Sequence, residues 1–320
     1  MEKTVIAAIG EALIDFIPEN KGCPFYEVQG FRPAVGGAPA NVCGAVARLG
    51  GASRLLTQLG KDPFGEKILR ALLREGIDCS RIALTEQAKT ALAFVSLEED
   101  GSRDFSFYRD PSADMLFAPE QLRQEWFEDC FALHFCSVSL GDFPMKEAHK
   151  TAIKMAEQNG AIISFDPNLR FPLWPDEEAL YRAVWDFLPK ADILKLSDEE
   201  LPFLTGEEEI EAALPKLFLG NVKLILFTCG KDGARAFTKT GQAFAPAEQV
   251  SAVDTTGAGD GFIGCFLWKL LQSGVTKETI ASLTGDFLKD ALCLANRFCG
   301  YSVQRSGAIP SYPTKKDLNL

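Results

Sequence analysis

The stretch Pro144–Phe165, PMKEAHKTAIKMAEQNGAIISF, decides the fold class. Pro144 suits the first turn of a helix, where its missing N–H costs nothing, and apolar residues then recur on one face as far as Gln158. Gly160 stops the helix, and the β-branched run Ala161–Phe165 reads as a buried strand. The same unit repeats on either side. Thr4–Ile9 reads as a strand. Asp62-Pro63 supplies an N-cap and first-turn proline for a helix whose apolar face is Phe64, Ile68, Leu69, Leu72 and Leu73. Lys67, Arg70 and Arg74 form its other face, and Gly76 ends it. Strands follow at Asp192–Leu196 and Lys223–Thr228, Ser197 with Glu200 reads as a capping box, and long helices are expected from near Gly257 and Lys277. Strands alternating with helices of this length predict an α/β fold with a mostly parallel sheet covered on both faces.

Two segments break the rhythm. Ile14–Phe31 has little helical periodicity, and Ala91–Leu97, Glu99-Asp100-Gly101 and Arg103–Tyr108 read as a hairpin around a D-G turn. Neither fits a βαβ unit. They predict a small β-sheet lid standing off the main sheet, from about 14–33 and 90–112, within a single domain spanning 1–320.

Composition removes whole classes of function. The 320 residues include 33 Lys and Arg against 44 Asp and Glu, a net charge of −11, which argues against nucleic acid or anionic membrane as partners. No apolar run approaches the roughly 20 residues that span a bilayer, and Glu11 interrupts the N-terminus too early for a secretory segment. A cytoplasmic location is expected. Nine cysteines without a C-x-x-C pair read as free, mostly buried thiols. The two histidines, His134 and His149, lack metal-binding spacing and are expected to be structural.

The chemistry is concentrated in Val253–Phe262, VDTTGAGDGF, ahead of an apolar helix. Small residues Gly257, Ala258 and Gly259 let backbone N–H groups approach an anion where the helix dipole favours negative charge. Asp260, in that first turn and kept ionised by helix N–H donors, would be a general base for a hydroxyl attacking a phosphoryl group. The alternative is a tight strand-to-helix turn with Asp260 as a cap. No lysine follows in the P-loop pattern.

Asp254–Asp260, DTTGAGD, resembles the C-terminal signature of the ribokinase-like, or PfkB, carbohydrate kinases. Gly36-Gly37-Ala38-Pro39-Ala40-Asn41 resembles the family's sugar-holding GG-x-x-x-N motif, and Thr228–Gly233 its T-x-G-x-x-G nucleotide turn. Ser197–Glu200 stands at the N-x-x-E position with Ser for Asn. Within the family, GEALIDF (10–16), TALAFV (90–95), FYRDPSADM (107–115), DPNLRFPLWP (166–175) and GAIP (307–310) are similar to fructokinases, plant enzymes included.

The resemblance implies a ribokinase-like three-layer α/β/α domain and ATP-dependent phosphorylation of a sugar, most simply fructose. The alternatives are 2-keto-3-deoxygluconate, another sugar or nucleoside, or a non-catalytic relative that binds without turnover. It implies that Asp15, Gly36, Gly37, Asn41, Tyr108, Arg109 and Asp260 meet the sugar, and that Arg170 lies near the transferring phosphoryl. It implies that Thr228, Gly230, Gly233, Gly257, Ala258, Gly259 and Asn296 hold ATP. Asp254, Thr256, Ser302, Arg305, Gly307 and Ser311 would surround a monovalent cation such as K⁺, and Glu200 would act indirectly on Mg²⁺. Read from residue type alone, Asp15 also suits a strand-end turn, Arg170 a solvated surface, and Tyr108 and Arg109 an exposed hairpin end. A homodimer through the lid is a further expectation.

Overall fold

The computed structural model describes residues 2–19, 22, 25–97 and 103–320. Strands β1 (Val5–Ile9), β2 (Leu13–Pro18), β3 (Phe31–Gly36), β4 (Ala52–Gly60), β5 (Ile82–Thr85), β6 (Leu92–Leu97) and β7 (Arg103–Tyr108) fill the first third. They are followed by β8 (Cys130–Cys136), β9 (Ile162–Asp166), β10 (Ile193–Ser197), β11 (Leu224–Thr228), β12 (Ala234–Phe237) and β13 (Gln242–Ala245). The helices are α1 (Ala38–Arg48), α2 (Pro63–Arg74), α3 (Pro144–Gln158), α4 (Glu177–Phe187), α5 (Leu201–Thr205), α6 (Ile210–Leu217), α7 (Ala258–Gln272) and α8 (Gly285–Ser302).

Nine strands form the main sheet in the order β13-β12-β11-β10-β9-β8-β1-β4-β5. Its pairings are parallel from β5 to β11, and β12 and β13 add an antiparallel edge. Strand β1 shows why a continuous apolar run is needed. Ile6 and Ala8 enter one core with α1, α2, α7 and α8, whereas Ala7 and Ile9 enter a second core with α3 and α4. Both faces are covered, as parallel sheets require. Helix α7 crosses α1 closely because Gly264 has no Cβ; one would lie 2.7 Å from Ala45 Cβ.

The small sheet has the order β3-β2-β6-β7 and is built from two separated stretches. Its β6–β7 pair is antiparallel, and the expected D-G turn between them lies outside the described residues. Phe16 stacks on Phe94 at 4.6 Å, with Phe31 and Tyr108 edge-on to Phe94, on one face of this sheet.

Several local expectations need correction. Leu73 is exposed, so the buried face of α2 is narrower than its apolar pattern; Asp62 does cap this helix, accepting from Phe64 N and Gly65 N. Helix α8 begins at Gly285 rather than near Lys277, with Thr284 as its N-cap. Lys277 lies in a turn, where its ammonium reaches Asp192. Only half of the Ser197–Glu200 capping box forms: Glu200 accepts from the Ser197 N–H at 2.8 Å. The Ser197 hydroxyl donates to Glu200 instead of accepting from the helix, and Glu200 spans two loops, as described below.

Among the described residues, eight cysteines are free and five of them are buried. Both histidines are buried, with His134 Nδ1 3.0 Å from Ser164 Oγ and His149 Nδ1 2.8 Å from the Met145 carbonyl. Burial lowers their pKa values to about 3 and about 4, which leaves both neutral. No helix among the described residues is long and apolar enough to cross a membrane.

Candidate active site

Strands β1, β9, β10 and β11 all end on the same edge of the sheet, where open α/β folds place their ligands. A cleft of about 960 Å³ opens there beneath the small sheet. Glu11, Asp15, Asn41, Asn168, Arg170 and Asp260 supply much of its polar lining, and the 252–257 loop forms its other wall.

Asp260 sits at the cleft floor in the first turn of α7 and is only 8% exposed. Asn41, on α1, donates to its Oδ2 at 2.8 Å, and Asn168 donates to Oδ1 at 3.4 Å. Burial raises the Asp260 pKa to about 6. The bond from Asn41 opposes that rise, nearby Asp166 adds to it, and Arg170 and Lys195 oppose it. Helix donors therefore do not hold it far below neutrality, contrary to the expectation from its position in the turn. It remains mostly ionised at neutral pH and close to its titration range.

The turn before it is built for close approach. Gly257 is the N-cap at φ +73°, and a Cβ there would lie 2.6 Å from both Ala308 Cβ and Tyr312 Oη. Tyr312 Oη donates to the Gly257 carbonyl at 2.7 Å. The Ala258 N–H donates to the Thr255 carbonyl at 3.1 Å, so this amide turns into the protein. Gly259 lies over Lys195 Nζ, which a Cβ would approach to 3.2 Å.

The sugar-side residues divide. Asp15 on β2 and Gly37 line the cleft, and a Cβ on Gly36 would overlap the Asp15 carboxylate. Asn41 lines it too, but its amide nitrogen is spent on Asp260, and its buried Oδ1 has no partner. Tyr108 does not face the cleft. It is exposed on the aromatic face of the small sheet, and its neighbour Phe107 lines the cleft instead, as strand alternation dictates. Arg109 is buried, ion-paired with Asp114, and donates to the Val138 carbonyl and Ser139 Oγ, so its guanidinium is committed to protein groups. Arg170 lines the cleft half-buried, with Nη1 on the Leu169 carbonyl at 2.9 Å. Arg32, on β3, also lines it.

Of the residues expected around the nucleotide, Gly257 lines the cleft, whereas Thr228, Gly230, Gly233, Ala258, Gly259 and Asn296 lie outside its lining. Thr228 ends β11, with Oγ1 3.4 Å from the Leu196 carbonyl. Gly230 has φ +49° and open space where a side chain would go; Gly233 has φ +107°, and a Cβ there would collide with the Ala245 carbonyl. Asn296 donates to the carbonyls of Ala245 and Pro246 at 2.9 and 3.0 Å and is buried, so its amide nitrogen clamps α8 to the end of β13.

The two expected ion positions are occupied by protein donors. Asp254 Oδ1 accepts from Thr256 N and Thr256 Oγ1 at 2.9 and 2.6 Å, and Oδ2 from Gly307 N at 2.9 Å. Ser302 and Ser311 hydroxyls bond each other at 2.6 Å, and the Ser302 carbonyl accepts from Arg305 N at 3.0 Å. The Arg305 guanidinium lies over the Tyr301 ring. Glu200 Oε1 accepts from Leu169 N, and Oε2 from Ser197 N and Oγ. It is a brace between two loops, not a carboxylate with oxygens turned to a metal. No group of three or more His, Cys, Asp or Glu suited to a metal ion occurs among the described residues.

Sequence reasoning missed four polar groups. Asn168 follows the D-P step with φ +46°. Glu11 is buried, accepts from Ala38 N and Ser139 Oγ, and has its pKa raised by burial against the pull of Arg109. Asp166 and Lys195 form a buried ion pair at 2.8 Å. The lysine had a signal, since it interrupts the otherwise apolar run Ile193–Leu196.

Comparison with known proteins agrees with this architecture. The profile of the pfkB family carbohydrate kinases matches residues 3–315, and the chain belongs to that family. It is 41% identical to probable fructokinase-4 of Arabidopsis thaliana, over 99% of this chain and 96% of that one. The structure of a Xylella fastidiosa fructokinase with bound ATP superimposes with a TM-score of 0.91 at 35% identity, covering 99% of this chain and 97% of that one. A double mutant of fructokinase from Vibrio cholerae O395, in a fructose, ADP and potassium ion bound form, gives 0.87 at 31% identity, with 99% and 98% covered.

Proposed function

We propose that this protein is an ATP-dependent fructokinase, transferring the γ-phosphoryl group of MgATP to the 6-hydroxyl of D-fructose. The observation that carries the reading is Asp260, held by two asparagines at the floor of a cleft between the small sheet and the glycine turn. In the reaction, Asp260 takes the hydroxyl proton and the freed oxygen pair bonds the γ-phosphorus. The bond from that phosphorus to the β–γ bridging oxygen breaks, and ADP departs with its electrons. The amides of Gly257 and Gly259, together with Arg170, face the charge on the phosphoryl oxygens, whereas the Ala258 amide stays on the Thr255 carbonyl. Asp15 accepts from sugar hydroxyls, and Gly36 leaves room for its carboxylate. Asn41 acts chiefly by aiming Asp260.

Magnesium enters with ATP. The chain offers no acidic cluster for it among the described residues, and Glu200 is already satisfied. K⁺ at the Asp254–Gly307 loop would share a carboxylate that accepts three protein donors. The aromatic face of the small sheet, with Tyr108 60% exposed, supports a homodimer through the lid.

A neutral ketose is favoured over a sugar acid because Arg109 is neutralised by Asp114. Arg32, facing the cleft, is the observation that keeps 2-keto-3-deoxygluconate as the second reading. A coupled ADP-release assay over a sugar panel decides between them. Fructose is expected to exceed glucose, ribose and 2-keto-3-deoxygluconate in kcat/KM by at least about tenfold, since a misplaced hydroxyl leaves buried polar groups unpaired. Faster turnover of 2-keto-3-deoxygluconate would overturn the substrate and leave the kinase chemistry in place.

A further inference from the structure

The Asp166–Lys195 pair lies beneath the reacting groups, yet neither residue lines the cleft. Asp166 is 1% exposed; its Oδ2 meets Lys195 Nζ at 2.8 Å, and its buried Oδ1 has no hydrogen-bond partner. A lone carboxylate oxygen in that setting is costly, and stability alone gives no reason to keep it. Lys195 reaches in the other direction to the glycine turn, where a Cβ on Gly259 would come within 3.2 Å of Nζ. The pair is thus wedged between the end of β9 and the first turn of α7. Two residues beyond Asp166, Asn168 bonds Asp260 directly.

We propose that Asp166 and Lys195 are positioning residues that set, by opposed charges, how readily Asp260 accepts the sugar-hydroxyl proton. This rests on the reading of Asp260 as the base. Among the described residues, the charged groups that act on Asp260 are Asp166 from β9, Arg170 from the loop after it, and Lys195 from β10. Asn41 of α1 is uncharged. Cys136 of β8, Cys299 of α8 and Tyr312 near the C-terminus are also electrostatically coupled to Asp260, but burial raises all three thiol and phenol pKa values far above neutrality. Asp166 disfavours a second negative charge at Asp260, and Lys195 favours it. Lys195 is a dependable cation. Burial works against its charge, but Asp166, Glu200 and Asp260 outweigh burial and hold its pKa above the ordinary value.

The test is the pH profile of kcat/KM for fructose at saturating MgATP, measured on full-length Asp166→Asn and Lys195→Gln. Asp166→Asn should move the acidic midpoint down, and Lys195→Gln should move it up, each by about one pH unit. A structural role alone would lower the plateau without moving the midpoint in opposite directions, and titration of the nucleotide is common to all variants. Midpoints that stay within about 0.3 of wild type, or that move the same way, overturn the proposal. Should Asp166→Asn fail to fold, Lys195→Arg against Lys195→Gln carries the test: the arginine keeps the midpoint, the glutamine raises it, and equal midpoints overturn the proposal. Asp260→Ala separates the two readings. If it stays active, the assignment of the base fails; if it is inactive while the midpoints do not move, only the present proposal fails.

Discussion

Strand β10 is flanked by two buried aspartate–lysine sites that are bonded very differently. At its N-terminal end, Asp192 accepts from Lys223 Nζ at 3.0 Å, Lys277 Nζ at 2.9 Å and Ile163 N at 2.9 Å. Near its C-terminal end, Lys195 meets Asp166 at 2.8 Å and leaves the other carboxylate oxygen without a partner. The first site faces away from the cleft, and every oxygen is used to tie β9, β10, β11 and the turn at Lys277 together. The second lies under Asp260, which is itself buried with a raised pKa. One end of the sheet is satisfied, whereas the other holds charges short of partners, as sites used for chemistry often do.

The largest effect that tests this contrast is at Asp260. Asp260→Ala should lower kcat by roughly 10² to 10⁴, the usual worth of a positioned base, with ATP and fructose binding changed much less. Activity within about threefold of wild type would remove Asp260 from the mechanism and the contrast with it.

At the satisfied end the loss should appear in stability. Asp192→Asn leaves Lys223 without its carboxylate and Lys277 with only Glu157 at 3.8 Å, beside a fully buried position, and should cost about 3 kcal/mol, with kcat unchanged in the protein that remains folded. Denaturant unfolding measures this, and an unchanged midpoint would mean that the pair is dispensable.

Asp260→Asn should do the reverse, raising Tm at pH 7.5 while abolishing turnover. Its folded pKa, about 6, lies above the ordinary 3.8, so its neutral form is favoured by folding. That contribution is fully present below about pH 4 and lost as pH rises through about 6. The gain at pH 7.5 is therefore about 3 kcal/mol at most, at 1.36 kcal/mol per pH unit, and should shrink as pH falls towards 4. A variant less stable than wild type at pH 7.5 would contradict the raised pKa. The same titration implies that wild-type kcat/KM falls below about pH 6.

The smallest effect concerns Asp254, a carboxylate at the cleft end that already has protein donors on both oxygens. K⁺ should raise activity over Na⁺ or tetramethylammonium at fixed ionic strength. Indifference to the cation would place Asp254 with Asp192 as a structural tie.

Much of this molecule was legible in one dimension. The helix over Pro144–Gln158 has the observed bounds, and the small sheet was visible where helical periodicity failed. The glycine turn before Asp260 was legible because it depends on backbone sterics within a few residues. Helix α8 was placed too early because 277–284 is a turn and a 3-10 segment whose Lys277 is drawn to Asp192, a contact without local signature.

What the sequence by itself determined is therefore the layered fold, the lid strands and the identity of the turn that carries the base, since each follows from short-range periodicity and backbone chemistry. The partners of polar side chains were decided only in three dimensions. Asn41 and Asp260 are 219 residues apart and meet at 2.8 Å, which makes the asparagine a guide for the base. Arg109, Glu200 and Asn296 look free to meet ligands in the sequence but are committed to Asp114, to the Leu169 and Ser197 amides, and to two carbonyls. The reason is physical: burial raises the cost of an unpaired polar group, so the group takes whichever donor or acceptor the fold brings within about 3 Å, and that choice is not encoded nearby in the chain.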